Sequence, residues 1–229
     1  MTSFSTAKGI LMSAPMSRAL RDGVKTQTRR EGNLKEINEL GGWNLLGQLE
    51  GKPRMWGFIR DSHVMDIQCP WVVGGALYVK EACWVWGAWH KNGLTKTGKQ
   101  QCRFKPVGQQ VSFDPQQTVT RESGETGWVK RNSIFMPRWA ARIYLEITGV
   151  RVERLQDISE EDCIAEGIER MKSGRGFYDA IVGKGAVHLG VYHNTAREAY
   201  KFLFEGINGK GSWESNPWVF VISVKVVAS

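Results

Sequence analysis

Apolar positions recur at two spacings along this chain. In "SAPMSRALRDG", Met16, Ala19 and Leu20 fall on one helical face, Ser13 is placed to cap, Pro15 suits a first turn and Gly23 ends the segment. "VKTQTRR" then changes to the two-residue period of a strand. That period would set Lys25, Gln27 and Arg29 on one face and Thr26, Thr28 and Arg30 on the other. Between residues 31 and 69, Gly41-Gly42, Gly47, Gly51 and Pro53 punctuate the chain. They predict loops, one hairpin around "RMWGFIRDSHVMDIQC" and no independent core. "PWVVGGALYVKEACWVW" predicts a Gly74-Gly75 turn and a strand after it. Residues 87–132 are rich in Gly, Lys, Gln and Thr and predict a long, basic, mobile insertion or hairpin. Ile143, Leu145 and Ile147 alternate with polar neighbours in a half-buried strand that bends at Gly149. "DISEEDCIAEGIER" then reads as a helix, with Ser159 as cap and acids in the first turn. After a glycine-rich loop over 171–193, "NTAREAYKFLFEGIN" carries Ala196, Ala199, Tyr200, Leu203 and Ile207 at helical spacing. "NPWVFVISVKVV" closes the chain as a strand.

Few of these strands are linked by βαβ spacing, which argues against a doubly wound sheet. The expected class is α+β, a small mixed closed β-barrel flanked by helices. With 229 residues, a single domain over 1–229 is expected, long enough to bury a sizeable core.

Composition changes the picture mainly through charge. Hydrophobic residues at 41% and charged residues at 24% exclude wholesale disorder. The net charge of +8 favours a polyanionic partner such as a nucleotide or nucleic acid. Neither a signal peptide nor a membrane span is expected, and Cys69, Cys83, Cys102 and Cys163 form no CxxC pair, so a cytoplasmic, reducing setting is the simplest. His63, His90, His188 and His193 lack ligand spacing, and the near pair of His188 and His193 reads as loop. No metal and no cofactor are expected.

GxSxG, HExxH and the phosphate-binding GxxxxGK[ST] are all missing from the sequence, and "GKGAVHLG" and "NGKGSW" read as loops. That leaves "KTQTRR". A threonine hydroxyl becomes a nucleophile only if a base takes its proton, and a lysine of lowered pKa can do so. A carboxylate would be needed to pass a proton to a leaving amine. On these six residues alone a solvated basic strand is the better reading. Glu166 borders the apolar face of the acidic helix and is open to two readings, inward-pointing or surface. Among the tryptophans, Trp84, Trp139 and Trp218 lie in strand blocks and read as core. Trp43, Trp56, Trp89, Trp128 and Trp213 lie in loop-like stretches, where one could stack a base.

Taken together, "GVKTQTRR", "VGGALYVKE", "ITGVRVERLQDISEEDCIAEGI" and "NPWVFVISVKV" resemble the ASCH domain family of the PUA-like β-barrel superfamily, especially its larger phage and prophage members. The resemblance covers about residues 9–30, 70–86, 134–170 and 195–227, and leaves 31–69 and 87–132 as insertions. Small bacterial members are N(4)-acetylcytidine amidohydrolases that use a lysine, a threonine and a glutamate. Their K-x-x-T-x-R stretch falls here on Lys25, Thr28 and Arg30, and their glutamate, seven residues past the start of the acidic helix, on Glu166. Where the small enzymes carry Gly-Asp in the second-strand turn, this chain has Gly74-Gly75. The resemblance implies a metal-independent amidohydrolase acting on an N(4)-acylated cytidine or cytosine. Lys25 would be base, Thr28 nucleophile and Glu166 proton shuttle, with Arg30 holding the base or polarising the acyl oxygen, and Arg138 and Trp139 near the cleft. The alternative is a PUA-like module that binds RNA or single-stranded DNA without catalysis, its basic stretch from Lys91 to Arg131 following phosphates. A phage accessory protein with a decayed site is a third reading.

Overall fold

The structure is a computed structural model that describes residues 4–114, 116–120, 124–171, 176–179 and 192–228. Its largest element is a five-stranded mixed sheet in the order β1-β6-β10-β13-β2. These strands are β1 (Lys8–Leu11), β2 (Gln27–Arg30), β6 (Ala76–Lys80), β10 (Tyr144–Arg154) and β13 (Trp218–Ala228). The β1–β6 pair is parallel and the other ladders are antiparallel. A three-stranded sheet joins β3 (Asn44–Gln48), β4 (Met55–Arg60) and β5 (His63–Gln68). A second one, in the order β8-β7-β9, joins β7 (Cys83–Leu94), β8 (Gln100–Ser112) and β9 (Gly127–Arg131). The short β11 (Ile168–Arg170) pairs with β12 (Phe177–Asp179).

The α+β class is present, but the closed barrel is not found among the described residues. The edge strands β1 and β2 share no backbone ladder. Arg30 at the end of β2 instead donates from Nη2 to the carbonyl of Leu11 at the end of β1, at 3.1 Å, so a side chain spans the gap. Helix α1 (Ala14–Arg21) connects the two edges. Its cap is the expected one: the Ser13 hydroxyl accepts from the Met16 amide, and Gly23 leaves the helix at φ 72°, a conformation that costs glycine nothing.

The other α-helices among the described residues are α2 (Lys35–Leu40), α3 (Glu160–Ala165) and α4 (Ala196–Asn208). In α3 the Ser159 hydroxyl accepts from the Asp162 amide, but the helix ends sooner than its sequence suggests: Glu166 is its C-cap and Ile168–Arg170 is strand. Thr195 and Glu198 form a reciprocal capping box at the start of α4. Glu160 of α3 also accepts from the Ala196 amide, at 2.9 Å, which ties the two helix starts together. Ile207, expected on the buried face of α4, is 56% exposed, and Phe204 takes the buried place.

One large core lies between the five-stranded sheet, the helices and the β3–β5 sheet. Ile143, Leu145, Ile147, Phe220 and Ile222 are fully enclosed in it, each contributing about 1.5–3 kcal/mol of burial. The register of β10 shifts between Ile147 and Gly149, where the bend was expected. Trp43 and Trp56 belong to this core because the 31–69 segment folds onto it as a sheet, and Trp213, in the turns after α4, packs into it against Tyr200. That segment has no core of its own, as its sequence predicts. A smaller cluster of Cys83, Val85, Met136 and Ala140 backs the β7–β9 sheet. The 87–132 segment is therefore a long hairpin with a third strand added. No helix among the described residues is long and apolar enough to cross a membrane, and no group of three His, Cys, Asp or Glu among them could hold a metal ion. His188, all of "GKGAVHLG" and most of the loop expected over 171–193 lie outside the described residues.

Candidate functional site

The stretch between α1 and β2 is held at both ends by backbone bonds. The Lys25 amide donates to Ala19 at the end of α1, and the Thr26 amide donates to Ala165 at the end of α3. This second bond brings Lys25 to Glu166. The Lys25 ammonium donates to Glu166 Oε2 at 2.6 Å and to the Glu166 carbonyl at 2.9 Å. Both side chains are buried, at 1% and 5% exposure. Burial pushes the Lys25 ammonium below its ordinary range, an effect that the Glu166 charge opposes and that Arg30 and Arg29 reinforce.

Arg29 completes the arrangement from the same side of the strand. Its Nη1 donates to Glu166 Oε1 at 3.2 Å and to Gln27 Oε1 at 2.9 Å, and its Nη2 donates to Asp162 at 2.9 Å and to Glu153. Arg151 adds ion pairs to the same Glu153 and Asp162. Burial works against the Arg29 charge, but the charge of Glu166 and the bonds to Glu153 outweigh it and raise its pKa above the ordinary value. Each oxygen of Glu166 thus has its own cation. A buried carboxylate held in this way is fixed in direction as well as in charge.

Beside this network lies a cavity of about 590 Å3, in the gap between the two sheet edges and under α4. Arg29, Arg30, Glu166 and Tyr200 line it on the polar side, and Met12, Met16, Leu203, Phe204 and Val219 line it on the apolar side. Its volume suits a small-molecule site. Arg30 donates to the carbonyls of Arg29 and Leu11 and has no carboxylate within salt-bridge distance among the described residues, and burial lowers its pKa. Tyr200 is 3% exposed, and burial followed by the Glu166 charge raises its phenol well above the usual value. The Arg29 guanidinium lies 5.8 Å from the Tyr200 ring centre.

The structure brings Lys25, Glu166 and Arg30 to one place. Thr28 sits in the same strand, opposite Ile222 of β13, and strand alternation turns it away from Gln27 and Arg29. Its hydroxyl is buried and has no hydrogen-bond partner among the described residues. Neither Thr28 nor Lys25 is among the described residues that line the cavity. Arg138 and Trp139 lie elsewhere. Arg138 stands over the Tyr78 ring at 5.5 Å, and Trp139 packs on the small cluster behind the β7–β9 sheet.

Two residues escaped the sequence reading. Arg29 has no site role in the sequence reading, yet it is the hub of the network. The signal available was the alternation that puts it on the face of Lys25. Tyr200 was read only as a core position of α4, and nothing in its helical spacing marks the polar company it keeps. Comparison of the chain with protein-family models, curated proteins and solved structures gives no match.

Proposed function

We propose that the chain is a hydrolase that removes the acyl group from an N(4)-acylated cytidine or cytosine bound in the cavity beneath α4. One observation supports this most: a lysine and a glutamate 141 positions apart in sequence meet as a buried pair 2.6 Å apart at the cavity's edge. A PUA-like ancestry for the curled five-stranded sheet belongs to the same proposal.

In this reading the shared proton of the pair rests on Glu166, and the neutral Lys25 amine, its pKa lowered by burial, takes the Thr28 proton as the hydroxyl oxygen attacks the acyl carbon. The acyl–nitrogen bond then breaks. Glu166 relays the proton to the departing N(4) amine, and water hydrolyses the threonyl ester to release the carboxylic acid and restore the hydroxyl. Arg30 holds the pyrimidine or the acyl oxygen from the cavity wall, and Arg29 keeps Glu166 aimed. The Thr28 hydroxyl is not hydrogen-bonded to Lys25 here, so the nucleophile role requires the two to come together when substrate binds.

A second reading, a module that binds a modified base without turning it over, is favoured by the seclusion of Thr28 from the cavity lining. Equilibrium binding and turnover of N(4)-acetylcytidine separate the two. The hydrolase reading expects cytidine release that is lost in Thr28→Ala and in Glu166→Ala. Binding with no release, over several acyl lengths, would replace it with the second reading.

A further inference from the structure

The β7–β9 sheet has two unlike faces. Cys83 and Val85 of β7 and Val129 of β9 are buried, the first two in the small cluster with Met136 and Ala140. The residues between them point the other way. Trp84 pairs with Lys130 and Trp86 with Trp128 across the β7–β9 ladder, so these four side chains share the outer face. All three indoles are partly exposed and Lys130 is exposed. The Lys130 ammonium lies 5.7 Å from the Trp84 ring centre, and Trp86 meets Trp128 edge to face at 5.4 Å. A groove of about 440 Å3 opens beside Trp86 and Trp128, and Thr118, which bridges to Trp128, Thr120 and Glu125 line it too.

On its other edge β7 pairs with β8, and these two strands continue as a hairpin. Between Glu81 and Asp114 the sequence has no acidic residue. Lys91, Lys96, Lys99, Arg103 and Lys105 all lie there, and all are exposed. A solvated surface strand commonly mixes both signs of charge. One sign alone over this length, joined to a row of partly exposed indoles, matches the two things a polynucleotide offers: a line of phosphates and a row of flat bases.

We infer that the outer face of the β7–β9 sheet binds a single-stranded nucleic acid, with bases stacked on Trp84, Trp86 and Trp128 and phosphates led along the β7–β8 hairpin. The Glu125 carboxylate at the rim of the groove repels phosphate and leaves that groove to bases. A duplex keeps its bases stacked inside and has no π-face to give these indoles. The surface contains none of the residues of the Lys25–Glu166 site, so it stands whether or not that site hydrolyses anything.

Fluorescence anisotropy with labelled oligo(U) and oligo(dT) tests it, with a labelled DNA duplex and heparin as controls. Both single strands should bind at low salt, more tightly than the duplex. Lys96→Glu, Lys99→Glu and Arg103→Glu together should weaken binding steeply and reduce the slope of log affinity against log salt by at least about two, given ~0.7 per phosphate contact on a single strand. Trp86→Ala with Trp128→Ala should weaken it at least tenfold, since each stacked base contributes ~1–3 kcal/mol. Glu166→Gln should bind as the wild type does. Three results would overturn the inference: no binding at low salt, an affinity unchanged by the hairpin charge reversals, or heparin binding that equals that of the single strands.

Discussion

The Lys25–Glu166 site and the β7–β8 hairpin are both rich in cations, but they handle charge in opposite ways. At the first, Lys25 and Arg29 are enclosed, and each of them holds a carboxylate. At the second, the lysines and Arg103 stand in water with no acid near them in sequence. A charge in a low-dielectric interior must be paired or it neutralises, so the inner set is costly to cut and nearly indifferent to salt. A charge on the surface is cheap to change and is screened within about 10 Å at ordinary ionic strength. The inner set fixes the direction of a carboxylate, whereas the outer set leaves its positive charge facing solvent.

The largest break in this contrast should come from Arg29→Ala. It removes the shared partner of Glu166, Glu153 and Asp162 and should cost about 3–5 kcal/mol in chemical denaturation. Next comes Gly87→Ala in the hairpin. A Cβ there would collide with the Lys105 carbonyl and the Phe104 ring. Because the obstacle includes backbone, the β7–β8 register must shift at a cost of about 1–3 kcal/mol. Hydrogen exchange should quicken in β7 and β8 and stay unchanged in β13.

A smaller effect is expected from pH. The ordinary lysine value is 10.5, and that of Lys25 in the fold is lower. Between the two values the unfolded chain binds more protons than the folded one, so this group's contribution to stability rises with pH and its cost is fully present below the folded value. Tyr200, whose phenol titrates higher in the fold, has the opposite slope above its ordinary value of 10.0, so the window to use ends there. Up to that limit, wild-type stability should climb relative to Lys25→Met, and parallel curves would count against a lowered lysine. The smallest effect is expected from the hairpin charge reversals at Lys96, Lys99 and Arg103, each of which should change the unfolding free energy by no more than about 0.5 kcal/mol.

Local chemistry made much of the fold legible. The Ser13, Ser159 and Thr195 caps, the Gly149 bend and the alternation of β10 are all decided by residues close in sequence. Closure was not legible, because whether β1 and β2 pair depends on how far a sheet curls, and here the Arg30 side chain takes the place of a ladder. The tryptophans were misassigned in both directions. Trp43 and Trp56 lie near turns yet are buried by the sheet that the turns connect, while Trp84 lies in a strand but on its outer face. At the site, Lys25 and Glu166 came from the family resemblance rather than from periodicity. Glu166 ends a helix that its sequence extends too far, and its burial depends on the Thr26–Ala165 backbone bond. Arg29 is not marked by its sequence, because an arginine in a strand ordinarily faces water.

Release of cytidine from N(4)-acetylcytidine, followed by chromatography with wild type and Glu166→Gln at matched concentration and matched secondary structure, tests the central claim most directly. The buried pair as a proton relay predicts steady release by the wild type and a loss of about 100-fold or more in the variant. Equal release by both proteins, or none by the folded wild type, would contradict it.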